Sequence, residues 1–252
     1  MATIAIKFGS HNLGSLEDVE QIQIRSGHII VPVYIPRKQG FLVPTGEVGF
    51  GEVSLQGKLT AANYTALRTA RDTFRAAIKN GKQKITLDDE RYCYGQLRDF
   101  DWSFLTMNTC MLWSASFITE EAKEFSVTFQ SDTTAPTSAV GYTVANAGNA
   151  TTRAKISITN NSGGAITNFT LENSTTGQLF KYVGSLADTK VLVVDNFADT
   201  TSTDITVTND GTDDISNFQG DPITLASGNN TIVYTGTTAV SVKTEWHDAW
   251  YL

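Results

Sequence analysis

Residues 209–230 read NDGTDDISNFQGDPITLASGNN and place four carboxylates, Asp210, Asp213, Asp214 and Asp221, in one short polar run. Clustered aspartates can hold a calcium ion, activate a water molecule, or only shape turns. An EF-hand-like loop needs oxygen ligands at alternate positions followed by glycine, and that spacing is absent. Asp210-Gly211 instead offers the positive φ angles of a type I′ hairpin turn. Asp213 and Asp214 are adjacent and would face opposite sides of a strand, and Asp221 precedes Pro222, a common loop opening. Turn-making is the simplest reading, ahead of a calcium site and of catalysis.

Other reactive side chains are scattered. His11, His28 and His247 lie far apart, and the short Cys/His spacing of zinc sites does not occur. The chain contains no nucleophile elbow, P-loop or dinucleotide fingerprint. Asp88-Asp89-Glu90 could supply paired carboxylates for glycoside hydrolysis, but DDER more simply forms a polar turn between KITL and YCYGQL. The expectation is therefore no catalytic residue, no metal ligand and no cofactor: a building block or a binding module.

Composition narrows the classes further. The 252 residues are 40% hydrophobic and 18% charged, enough to fold around real cores and comfortable for two domains. A net charge of −7 argues against a nucleic-acid binder held by phosphate contacts, and no apolar run approaches the ~20 residues of a membrane helix. The opening MATIAIKFGSHNLG lacks the pattern of a secretion signal. The two cysteines, Cys93 and Cys110, are accordingly expected to be reduced. Asn-x-Ser/Thr triplets such as Asn168-Phe169-Thr170 then reflect an Asn- and Thr-rich composition.

The elements that carry these residues fall into two halves, joined at the small, polar, proline-containing stretch SDTTAPTSA. Residues 1–135 carry 14 Lys and Arg against 15 Asp and Glu, and residues 136–252 carry 5 against 11. The first half predicts one helix over about 60–80, capped by Thr60 and stopped at Asn80-Gly81. Its apolar face is Leu67, Ala70, Phe74, Ala77 and Ile78, its basic stripe Arg68, Arg71, Arg75 and Lys79, and a third face is small. ATIAIKF, KITLDDERYCYGQLRDFDWSFL, CMLWSASFI and EFSVTFQ read as strands, with Phe125, Val127 and Phe129 on one half-buried face. YIPRKQGFLVPTGEVGF, with two prolines and three glycines, reads as a long loop or arm. Its apolar Phe41, Leu42 and Val43, together with the basic stripe, are the candidate subunit-contact residues. The second half shows only short alternating runs between Gly/Asn turns, the pattern of a β-sandwich or jelly roll.

Several stretches together resemble the distal tail protein family of long-tailed bacteriophages with non-contractile tails. They are an opening strand, an arm ending in GEVSLQGKL, the helix ALRTARDTFRAAIKNGKQKITL, then DDERYCYGQLRDFDW and a closing EFSVTFQSDTTAP. In the second half, VLVVDNFADTTSTDITVTNDGTDDISNFQGDPITLASGNNTIVYTG is similar to the family's C-terminal domain. The resemblance covers nearly the whole chain through loose turn and strand patterns. It implies a mainly β fold: over 1–135 a tail-tube-like β-sandwich or split barrel with one packed helix, over 136–252 a galectin-like β-sandwich. It implies a homo-hexameric ring in the virion, assembled in the bacterial host cytoplasm. The expected partners are the tail-tube protein and tail-tip, hub or receptor-binding proteins, with no membrane and no specific nucleic-acid binding. A tube subunit with an appended sandwich, or a carbohydrate-binding host-recognition module, are the alternatives. A galectin-type sugar site would need a Trp platform with neighbouring His, Arg and Asn. Here Trp246 and Trp250 stand at the extreme C-terminus and Arg153 is the only arginine of the second half, so sugar binding finds no support.

Overall fold

The computed structural model describes residues 7–8, 11–12, 19–28, 33–34, 41–42, 48–79, 81–86, 90–106, 109–119, 122–197, 205–237 and 239–252. Two compact units divide between Glu124 and Phe125; the first also holds Tyr251–Leu252. This division lies ahead of the sequence-based boundary at 135/136 and falls near the start of the strand Lys123–Thr134, so most of EFSVTFQSDTT goes with the second unit.

The first unit contains strands β1 (Lys7–Phe8), β2 (His11–Asn12), β3 (Val19–His28), β4 (Val33–Tyr34), β5 (Phe41–Leu42) and β6 (Val48–Thr60). Helix α1 (Tyr64–Ile78) follows, then β7 (Lys82–Thr86), β8 (Arg91–Thr106) and β9 (Cys110–Thr119). The strands pair antiparallel in the order β3-β6-β9-β8-β7-β1-β2, and β4 pairs with β5 as a separate ribbon. GEVSLQGKL is therefore not the end of an arm but part of a central strand, with Val53, Leu55 and Leu59 fully buried. Leu67, Phe74 and Ile78 of α1 close the core over Val53, Leu55, Leu59, Met111, Trp113 and Phe117. The helix cap is Asn63, whose Oδ1 accepts the Ala66 N–H at 2.9 Å. Thr60 cannot cap, because its backbone is committed to the sheet opposite Cys110.

The second unit contains β10 (Lys123–Thr134), β11 (Gly141–Asn146), β12 (Thr152–Asn160), β13 (Ile166–Asn173), β14 (Gln178–Leu186) and β15 (Val191–Asp195). After these come β16 (Thr206–Asn209), β17 (Thr212–Asp213), a 3-10 turn (Ile215–Asn217), β18 (Phe218–Gly220), β19 (Thr224–Leu225), β20 (Gly228–Thr235) and β21 (Val240–Tyr251). One sheet runs β17-β16-β15-β12-β21-β10, with β19 also on β12; the other runs β11-β20-β13-β14-β18. Strict alternation places Ala154, Ile156 and Ile158 of β12 and Leu192 and Val194 of β15 in the core. They join Phe169, Leu171, Phe180, Tyr182, Ile232 and Tyr234 from the facing sheet, the arrangement of a β-sandwich. The expected half-buried face of EFSVTFQ differs: Phe125 is half-buried, but Val127 and Phe129 are 39% and 45% exposed. Phe129 instead rests its ring at 5.1 Å from His247 and 5.7 Å from Phe197 on the sheet surface.

Four buried asparagines, Asn146, Asn160, Asn173 and Asn230, hold the turns of this sandwich. Asn160 donates to the carbonyls of Gly164 (2.7 Å) and Leu186 (2.9 Å) and accepts from the Ser162 N–H (2.9 Å). Asn173 donates to Thr224 O (2.7 Å) and Asn230 Oδ1 (3.0 Å) and accepts from the Thr175 N–H (3.1 Å). The Asn-x-Ser/Thr pattern at both positions is thus the trace of a side-chain turn that bonds the backbone two residues on. Nearby, Gly148 lies so close to the Ala249 carbonyl that an added Cβ would sit 1.8 Å from its oxygen, so no larger residue fits without moving the backbone.

Candidate subunit-contact surface

The chemistry of the first unit's surface follows from one irregularity in strand register. Opposite β9, Leu97 faces Phe117, yet Asp99 faces Ser116, so Arg98 is an extra residue. A bulge of this kind switches which face the following side chains occupy. Beyond it Phe100, Trp102 and Phe104 lie opposite Ala115, Trp113 and Met111, on the helix side of the sheet. Asp99 and Asp101 lie opposite Ser116 and Ser114, on the other side. Without the bulge these assignments would be reversed.

Phe100 is drawn into the core by Phe74, 5.5 Å between ring centres and edge-on. Trp102 and Phe104 reach past the covered area and remain 38% and 48% exposed, beside Tyr64 at 44%. The rings are linked: Tyr64 to Phe104 at 6.1 Å and Phe100 to Trp102 at 6.4 Å. Arg71 lays its guanidinium 3.9 Å from the Trp102 ring centre, and Arg68 stands 5.9 Å from that of Tyr64. Exposed aromatic side chains interleaved with arginines form the composition enriched at the centres of protein–protein contacts.

The structure separates the four cations of the predicted basic stripe. Arg71 is engaged within its own chain, pairing with Asp72 at 2.7 Å while covering Trp102, and its side chain is only 17% exposed. Arg68, Arg75 and Lys79 are exposed and make no ion pair among the described residues. Phe41 and Leu42 lie in β5, opposite Tyr34 and Val33 in the ribbon, while Val43 lies outside the described residues. Asp88 and Asp89 also lie outside them. The aromatic trio Tyr64, Trp102 and Phe104 was not singled out from sequence; the aromatic residues at 100, 102 and 104 after Arg98 were its only trace.

The aspartates of the second unit serve its turns. Asp210 and Gly211 have φ of 50° and 81° and form the two-residue loop between β16 and β17, with Asn209 opposite Thr212. Asp210 also pairs with Lys190 at 2.7 Å. Asp214 accepts hydrogen bonds from the Tyr182 hydroxyl and from Asn217 Nδ2 (2.6 Å), fastening the 3-10 turn to the sandwich. The Tyr182 hydrogen bond holds the Asp214 carboxyl below its ordinary value. Burial first, and then the Asp214 carboxylate, push the Tyr182 phenol up to about 12. The Asp221 N–H donates to Leu179 O at 3.0 Å, aligning β18 with β14. Among the described residues no three His, Cys, Asp or Glu side chains gather as a metal cluster. Trp246, the first candidate sugar platform, is 6% exposed and donates its indole N–H to Asp248 at 3.0 Å.

Residues 147–250 match the family model described as the siphovirus-type tail component, C-terminal domain, of the SPP1 Dit family. No curated protein sequence matches the chain. Among solved structures, the SPP1 Dit protein (gp 19.1), a paradigm of the hub adsorption apparatus in phages infecting Gram-positive bacteria, aligns with a TM-score of 0.73 at 15% identity. The alignment covers 98% of this chain and 98% of that one, a likeness of fold along the full length. A component of the phage P2 baseplate in its activated, calcium-containing conformation is more distant, with a TM-score of 0.48 at 7% identity over 96% of this chain and 90% of that one. Residues 147–250 thus match the siphovirus-type tail-component family model, and the chain as a whole shares the fold of the SPP1 Dit protein.

Proposed function

We propose that this structural virion protein closes into a homo-oligomeric ring of six copies at the distal end of a phage tail. There it joins the tail tube to the tip and to receptor-binding components. The observation that carries the reading is a tail-component C-terminal domain set in a chain whose whole length adopts the distal-tail fold. In this reading the N-terminal, tail-tube-like unit, Met1–Glu124 with Tyr251–Leu252, forms the ring. The second unit, Phe125–Trp250, galectin-like in the sense of two facing antiparallel sheets, serves as a docking platform. The proposed role is structural rather than enzymatic, and the carboxylates of Asp210 and Asp214 are engaged within the chain by Lys190, Tyr182 and Asn217. Copy number tests the assignment. Six copies per virion, counted by quantitative mass spectrometry of purified particles, are expected; many dozens would instead identify a subunit of the tube itself.

A further inference from the structure

Helix α1 carries one continuous row along its length. Tyr64, Arg68, Arg71 and Arg75, followed by the cap residue Lys79, recur every three or four residues and so share one helix face. At 1.5 Å per residue the row is about 22 Å long. The exposed rings lie along its Tyr64 half: Phe104 stands 6.1 Å from Tyr64, and Trp102 lies against Arg71. The only carboxylate within α1 is Asp72, and Arg71 pairs with it at 2.7 Å. Arg68, Arg75 and Lys79 are exposed and make no ion pair among the described residues. These cations stand together in a chain of net charge −7.

From this we infer that the row docks an acidic segment of another protein, a tail component distinct from this chain. Carboxylates of the segment would meet Arg68, Arg75 and Lys79, and apolar side chains would cover Tyr64 and Phe104. Opposite charge supplies steering and register, and the covered aromatic end supplies most of the affinity. An extended segment of about seven residues spans the row at ~3.3 Å per residue. Nucleic acid fits less well, although its phosphates are also negative. One face of Trp102 is already covered by Arg71, whereas bases stack on free aromatic faces. A second copy fits less well too. Its helix side would bring cation against cation, and its exposed Asp99 and Asp101 share a side of the sheet with Lys58. The inference takes the tail setting from the proposed function and does not depend on how many copies form the ring.

The test measures binding of labelled peptides to the full chain by fluorescence anisotropy. The probe has phenylalanines at one end and glutamates along the rest, about seven residues in all. Its two counterparts replace glutamate by lysine, or phenylalanine by glycine. The glutamate probe should bind at least about tenfold tighter than either counterpart, and the advantage over the lysine probe should shrink with salt. R68E/R75E and F104A, each with unchanged circular dichroism, should lose at least about tenfold in affinity for it. No binding of the glutamate probe at about millimolar concentration overturns the inference, and so does equal binding of the lysine probe. Unchanged binding by R68E/R75E or by F104A overturns it as well. An oligothymidylate that binds as tightly as the glutamate probe assigns the row to nucleic acid and overturns it. If native mass spectrometry shows R68E/R75E failing to assemble where the unaltered protein does, the row is a contact between copies and the inference likewise falls. A monomeric unaltered protein that still prefers the glutamate probe supports the inference and contradicts the ring reading alone. Should R68E/R75E or F104A lose its fold, K79E decides: unchanged binding of the glutamate probe overturns the inference, and binding weakened about threefold or more supports it.

Discussion

Arg71 lays its guanidinium 3.9 Å from the centre of the Trp102 ring, joining the helix to the strand that emerges from the bulge at Arg98. The contact divides the basic stripe by role. Arg71 stabilises its own subunit, while Arg68 and Arg75 stay available. Replacing Arg71 with Ala should lower the stability of the isolated subunit by about 0.5–2 kcal/mol, as for partly desolvated cation–π pairs. Replacing the exposed Arg68 with Ala should change it by less than about 0.5 kcal/mol. Chemical denaturation of both variants checks the split; equal losses would remove it.

The buried asparagines are expected to matter more than any surface charge. Asn160→Ala removes two donated bonds and one accepted bond at once and leaves the Leu186 and Gly164 carbonyls without that donor. A loss of about 2–4 kcal/mol is expected, the sum expected when several buried polar groups lose their partners. Asn161→Ala, one residue on and exposed, serves as the control, and thermal unfolding distinguishes the two.

Alkaline conditions should weaken the second unit. Burial pushes the phenols of Tyr142, Tyr182 and Tyr234 up to about 12, whereas an unfolded tyrosine releases its proton near 10. Between these values the folded state binds more protons than the unfolded one. Stability therefore falls as pH rises, by about 1.4 kcal/mol per pH unit for each tyrosine. Asp214 acts at the other end: its depressed carboxyl contributes above about pH 4 and the contribution is lost as pH falls through the folded value. Denaturant midpoints from pH 9 to 12 should drop steeply, and Tyr182→Phe should flatten the alkaline slope by about a third. An unchanged slope in that variant would contradict the assignment.

A calcium chelator should leave the melting temperature unchanged, because Asp210 is held in a hairpin turn and paired with Lys190, and Asp214 is bonded to Tyr182. An ion present at 100 times its dissociation constant would add about 2.7 kcal/mol, a shift that calorimetry resolves. A chelator-dependent drop would restore the calcium reading.

The sequence made some of this legible for clear physical reasons. TRAKISITN alternates without interruption, so the buried face of β12 follows directly from a period of two. The helix shows its buried face through Leu67, Phe74 and Ile78 at the helical period, and Asp210-Gly211 announces its turn because few residue pairs accept two positive φ angles. The contact surface was far less legible. Its basic stripe is a matter of helical geometry, but the aromatic half depends on one extra residue at Arg98, and no local pattern reveals a bulge that only pairing with β9 defines. The cap went to Asn63 for a similar reason: Thr60 has suitable chemistry, but its place in β6 is fixed by strand pairing. Alternation in EFSVTFQ also promised burial that the sheet does not supply to Val127 and Phe129.

The ribbon offers a separate test of assembly. Two paired strands of two residues each are marginal alone in water, and Phe41 and Leu42 are apolar. Phe41→Ala should leave the subunit folded by circular dichroism yet weaken the ring by about 2 kcal/mol or more, the scale of an aromatic interface residue. Unchanged ring stability would exclude the arm from the contact.

The central claim is assembly, and the mass of the purified full-length protein in solution tests it most directly. Native mass spectrometry at micromolar concentration should show a closed species at six times the 27.4 kDa subunit, with no ladder of larger open chains. A spectrum containing only monomer, or a continuous series of ever longer polymers, would contradict it.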